Sequence, residues 1–184
     1  MNDLHDVAES DTRRWLERAV IGLNLCPFAK AVHVKQQVRY VISPSGEHRA
    51  VLDLLAQELS GLAAADPAER DTTLLVVPEG FDEFLLFNDL VRDGERALRR
   101  LGLEGVLQMV SFHPQFQFDG TGADDITNFT NRSPHPTLHL LREASIARAV
   151  EAFPQAEAIY EANMETLERL GHEGWRALGV EASK

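Results

Sequence analysis

Thr72 to Val77 reads TTLLVV, six β-branched or apolar residues in a row with no polar face. A strand of that composition must be covered on both sides, which is the place of a central strand in a sheet packed between other layers. The flanking sequence supplies a layer. Upstream, Ala50, Val51, Leu54, Leu55, Leu59 and Leu62 recur at helical spacing, with Glu58 as one polar interruption at the edge of the stripe. Downstream, Phe84, Phe87, Leu90, Val91, Gly94, Ala97, Leu98 and Leu101 mark a longer helix. Gly94 sits on that stripe, which predicts a close approach of the helix to the sheet.

Val34 to Ile42 alternates, with Val38, Tyr40 and Ile42 on the face opposite Lys35, Gln37 and Arg39, as in a half-covered strand. Val106 to Phe112 reads as a third strand. Strand, helix, strand, helix, strand, with helical connections this long, is the pattern of right-handed crossovers. It predicts an α/β fold, a three- or four-stranded, mostly parallel sheet flanked by helices. The alternating first strand keeps an α+β sandwich with antiparallel strands as the alternative. With parallel strands, 43–46, 78–81 and 113–132 all emerge at the carboxyl edge, where open α/β sheets bind ligands.

The rest of the chain adds helices around this frame. Trp15, Leu16, Ala19, Val20 and Leu23 share one face of a helix starting near Ser10. Cys26 before Pro27 suits the N-cap of a short helix, where the dipole would acidify the thiol; the plainer reading is a small buried hydrophobe. Thr137 to Arg142 reads as a strand or as a helix capped by Ser133, with the strand preferred. A last helix is expected over 155–170, with Ile159, Tyr160, Asn163, Met164 and Leu167 facing inward.

Composition narrows the partners. The net charge of −11, from 29 acidic and 18 basic residues, disfavours nucleic acid. No apolar run approaches the ~20 residues that span a membrane, and the polar, acidic amino terminus carries no secretory signal, so a cytoplasmic single domain is expected. One cysteine excludes an intrachain disulfide and any multi-cysteine zinc site.

The candidate chemistry lies in 111–143, SFHPQFQFDGTGADDITNFTNRSPHPTLHLLRE. His113 and His135 are candidate acids or bases, with Asp119 or Asp125 orienting them. Asn128, Asn131, Arg132, His139 and Arg142 are candidate binding groups for a small anion. His135 and His139, four apart, could join Asp119, Asp124 or Asp125 around a metal; histidines satisfied by backbone beside prolines are the simpler reading, and no cofactor follows from the sequence. Phe112, Phe116, Phe118 and Phe129 should anchor the loop, because leaving them in water forfeits ~1.5–3 kcal/mol each. Folding them inward predicts that His113, Asn131, Arg132 and His135 converge at the carboxyl edge. Two functions fit: a hydrolase or transferase acting on a small anionic metabolite, or a non-catalytic binding or regulatory module using the same pocket.

Three segments, LNLCPFA, SFHPQFQFDG and NFTNRSPHPTLHLLRE, resemble the signatures of a bacterial family of small proteins catalogued as a domain of unknown function. The resemblance covers nearly the whole chain. It implies a single-domain, bacterial, cytoplasmic protein and no particular activity.

Overall fold

The TTLLV run is a strand, β2 (Thr72–Val76), and every residue of it is buried. In the computed structural model, which describes residues 2–152 and 158–183, β2 lies second in a sheet of four. The others are β1 (Val38–Ile42), β3 (Leu107–Phe112) and β4 (Thr137–Arg142), in the order β1-β2-β4-β3. β1 and β2 pair in parallel, and β4 runs antiparallel to both β2 and β3. β1, β2 and β3 therefore all point the same way, and their carboxyl ends share one edge, as the crossover pattern predicts. The insertion of β4 leaves one parallel pairing of the three, so the α/β sheet also has the antiparallel character of the alternative. The cause is the loop after β3. It returns the chain to the edge that β3 has just left, so the next strand must run back.

α3 (His48–Ala64) and α4 (Phe84–Arg100) cover one face. Val51, Leu55, Leu59, Leu62, Phe87 and Leu90 pack there against Leu75, Leu138 and Leu140 of the sheet. Gly94 makes the close approach that its position predicts: a Cβ on it would lie 2.8 Å from Leu55 Cδ2 and 2.9 Å from Met109 Cε. Glu58, the polar interruption, is buried against the Arg70 guanidinium at 2.5 Å and reached by Arg39 at 3.0 Å.

The other face is covered by α1 (Asn2–Trp15) and its π-helical continuation Leu16–Ile21, and beside them α6 (Ile159–Ala177), kinked at Gly171, packs on the 3-10 segment Ile126–Asn131. Trp15, Ala19, Leu25, Leu167 and Trp175 form this second core, with Tyr40 and Phe112 packed against it. α1 thus begins well before Ser10. α2 (Ala29–Val34) takes Val34 into a helix, and Gln36 turns the chain at a φ of 58°, so the first strand starts only at Val38. Phe28, not Cys26, stands at the N-cap of α2, and burial pushes the Cys26 thiol up, away from the reactive range. β4 confirms the strand reading of 137–142 and runs straight into α5 (Glu143–Ala152). The expected start of the last helix at Gln155 lies outside the described residues. In α6, Asn163 and Leu167 are buried, whereas Tyr160 is 49% exposed instead of facing inward. No helix among the described residues is long and apolar enough to cross a membrane.

Candidate functional site

The chain leaves β3 at His113, which is fully buried between Phe84 and Phe87, its ring centroid 5.3 and 5.2 Å from theirs. The Gln115 backbone N–H donates to Nδ1 at 2.9 Å. Nε2 therefore carries the ring hydrogen and donates it to the Phe81 carbonyl at 2.8 Å. Burial pushes the ring below the usual histidine range, so it stays neutral. With both nitrogens occupied, His113 braces the exit of β3 against the segment between β2 and α4; it has no nitrogen left to move a proton.

The rest of the loop is built in the same way. Asn128, fully buried, accepts from Phe118 N–H at 2.9 Å and Thr121 Oγ1 at 2.8 Å, and donates to Gly122 O at 2.8 Å. Asp125 caps a 3-10 helix, Ile126–Asn131, by accepting from Thr127 N–H and Oγ1, and these bonds hold its carboxyl below the ordinary value. Asn131 donates to Ser111 O at 3.3 Å and its carbonyl receives the His113 N–H. Arg132 donates to Phe116 O at 3.2 Å and Ala123 O at 2.6 Å and lies over the Phe129 ring. Phe116 packs on Phe84 and Phe118, and Phe129 on His172 and Trp175. The phenylalanines thus fold the loop inward, and His113, Asn131 and Arg132 gather beside the edge. Their polar atoms, however, are turned onto backbone atoms of the loop, of Ser111 in β3 and of Phe81. Asp119 and Asp124 are exposed.

His135 points elsewhere, toward α1. Its Nε2 lies 3.1 Å from Oδ2 of Asp11, a carboxylate with no exposed surface. Asp11 also accepts from Ser183 N–H at 2.8 Å, Ser183 Oγ at 2.6 Å and Arg14 at 2.5 Å. Burial alone would push this carboxyl up; the bonds from Ser183, His135 and Arg14 outweigh it and hold the group below its ordinary value. α1, the segment before β4 and the carboxyl-terminal segment meet here. The signal for Asp11 is present in the sequence: extending the Trp15 stripe backward at helical spacing gives Thr12, Asp11 and Ala8, all buried.

The other two binding candidates are separate again. His139 meets Thr72 Oγ1 at 2.7 Å and the Phe112 ring, and burial pushes its pKa down to about 4. Arg142 pairs in register with Leu107, at the edge opposite His113. It donates to Leu62 O and Ala65 O, each at 2.7 Å, and to Arg70 O at 3.0 Å, closing the carboxyl end of α3. No group of three or more His, Cys, Asp or Glu side chains placed to hold a metal occurs among the described residues.

The carboxyl edge does carry a cleft, of about 510 Å³, beside the loop rather than within it. Its floor is a crossing of two backbones. A Cβ on Gly46 would lie 2.5 Å from Glu79 O, and Gly80, at a φ of 85°, meets Gly46 in return, so neither position tolerates a side chain. Phe81, whose carbonyl holds His113, is one wall. On another wall α4 presents Asp89, Arg92, Asp93 and Arg96, spaced so that all four share a face. Arg92 is paired with Asp89, and Arg96 with Asp93 at 2.6 Å. His48, the first residue of α3, brings Nε2 to 3.0 Å from Asp93 Oδ2. These residues lie outside 113–143, where the sequence concentrates its chemistry.

The molecule is thus a layered α/β protein with a self-braced polar loop and an open, mixed-charge cleft at one sheet edge. The chain matches the model of the family described as Protein of unknown function (DUF1415) over residues 7–177, and it belongs to that family. No curated protein and no solved structure matches it.

Proposed function

We propose that this chain binds a small anionic molecule in the carboxyl-edge cleft, acting as a bacterial cytoplasmic protein rather than on nucleic acid or a membrane. The observation that carries the reading is the state of Arg92 and Arg96. Their side chains are 65% and 57% exposed, and their partners stand three residues away on the same helix. Exposed pairs of that kind are worth only ~0.3–0.5 kcal/mol, so an incoming carboxylate, sulfate or phosphate group displaces the aspartates at small cost. Guanidinium forks match such groups in geometry. The Gly46–Gly80 crossing lets a ligand approach the backbone closely, and the braced loop of 113–132 supports the cleft only from behind, where His113 holds the Phe81 carbonyl.

A catalytic reading, hydrolase or transferase, is favoured by one observation within the set expected from the sequence. His135 is held through Nε2 by Asp11, while its Nδ1 makes no hydrogen bond to a described residue. An imidazole oriented by a buried carboxylate is the arrangement of a general base.

Calorimetric titration with a panel of small carboxylates, sulfates and phosphates tests the first reading, with product analysis on the same samples for the second. Saturable binding abolished by Arg92→Gln with Arg96→Gln is expected. Binding indifferent to that double substitution sinks the reading. Turnover lost in His135→Gln establishes the catalytic role; binding without product identifies a binding module.

A further inference from the structure

We infer that anion capture in this cleft is coupled to protonation of His48, which sets the sign of the site. The inference rests on the cleft being the binding site and deepens it. Arg92 and Arg96 are matched by Asp89 and Asp93, so the guanidinium and carboxylate charges of the lining cancel. His48 is the remaining titratable residue of that lining. A neutral ring leaves the cleft without net charge, and a protonated ring leaves one positive charge facing the ligand.

The geometry makes His48 able to do this. The hydrogen bond from His48, together with Arg96, holds the Asp93 carboxyl below its ordinary value, so Asp93 remains an acceptor throughout the range where a histidine titrates. Nε2, facing that acceptor, keeps its hydrogen, and Nδ1 is the atom that gains or loses the proton. Nδ1 makes no hydrogen bond with a described residue, and the side chain is 42% exposed, so the proton comes directly from solvent. Asp93 is a positioning residue, and His48 carries the charge.

The surroundings raise the need for that charge. Glu47 precedes His48, and Arg49 after it is taken up by Asp53 at 3.1 Å. The segment leading into α4 carries Glu79, Asp82 and Glu83, all exposed. These carboxylates oppose an anion, and an added positive charge on the cleft lining offsets them. His113, behind Phe81, has both nitrogens occupied and adds no proton of its own. Among the described residues, His48 is the one histidine that lines the cleft. The ligand class is an anion of carboxylate, sulfate or phosphate type, taken up with a proton.

The probe is inorganic sulfate, which keeps the same charge across the interval, titrated calorimetrically into the whole chain at pH ~6 and ~8. The expected affinity is on the order of tenfold higher at the lower pH. His48→Gln should bind weakly at both values, and His48→Lys should bind at both with the pH dependence gone. Circular dichroism of each variant verifies its fold. Equal affinity of the wild type at both pH values, or a pH dependence that persists in His48→Gln, overturns the coupling. If that pH-independent binding is still abolished by Arg92→Gln with Arg96→Gln, the site stands and only the proton coupling falls. Sulfate that does not bind at pH ~6, or binds regardless of the arginines, removes the site and this inference with it.

Discussion

The loop from His113 to Arg132 and the cleft beside it are both rich in groups that donate, accept and titrate, yet they differ in what those groups touch. In the loop, His113 and Arg132 end on backbone atoms of the loop or its neighbour, Asn128 ends on loop backbone and Thr121 Oγ1, and His113 and Asn128 have no exposed surface. In the cleft, His48, Arg92 and Arg96 end on other side chains and are 42%, 65% and 57% exposed. A buried polar group that loses its partner costs ~1–3 kcal/mol, so the loop's bonds are held firmly. An exposed pair can be exchanged for a ligand almost without loss. Richness in polar residues therefore marks where the chain needs internal bracing as readily as where it needs chemistry.

The sharpest way to break this comparison is His113→Ala. It removes a ring buried between Phe84 and Phe87 and strands the Phe81 carbonyl and Gln115 N–H. A loss of about 3–5 kcal/mol in urea denaturation is expected; a loss below ~1 kcal/mol would mean that the brace is dispensable.

Acid titration comes next in size. His139 is held neutral, its pKa lowered from 6.5 to about 4, so the unfolded chain binds more protons in that window. Stability is therefore full above pH ~6.5 and falls as the pH drops toward ~4, by at most about 3 kcal/mol. His139 as a residue is only half-buried, which reduces that ceiling. His139→Gln should flatten the slope of thermal midpoint against pH across this window. An unchanged slope would assign the acid sensitivity to another group, and Asp11, whose carboxyl is held below its ordinary value, loses its contribution only below pH ~4.

Asn128→Ala should cost about 2 kcal/mol, by leaving the Phe118 N–H without its acceptor, while Thr121 Oγ1 keeps Phe118 O and Gly122 O keeps the Asp125 N–H. Hydrogen exchange of the Phe118 amide should accelerate with it. At the small end, Arg92→Gln should change stability by less than ~0.5 kcal/mol. If it destabilised the fold as much as Asn128→Ala, the two regions would not differ in the way their exposure indicates.

Much of the frame was legible in the sequence. The unbroken apolar run of β2, the stripes of α3 and α4, and Gly94 among them placed strands, helices and a close contact correctly, because hydrophobic period is a local property. The convergence of His113, Asn131 and Arg132 was legible from the loop's phenylalanines. The orientation of their polar atoms was not, nor was the departure of His135 to Asp11 and of Arg142 to the end of α3.

Local spacing by itself determined that the chain forms a sheet with helices packed upon it, and that the carboxyl ends of β1, β2 and β3 meet at one edge. Tertiary structure decided that β4 enters antiparallel between β2 and β3, that the loop's His113, Asn128, Asn131 and Arg132 are taken up by the loop and its neighbouring segments, and that the open charges stand on α3 and α4. The physical reason is separation along the chain. Phe81 and His113, Asp11 and Ser183, and Leu62 and Arg142 become partners only after folding brings distant segments together, and no local pattern records which polar groups will find each other and which will be left for a ligand.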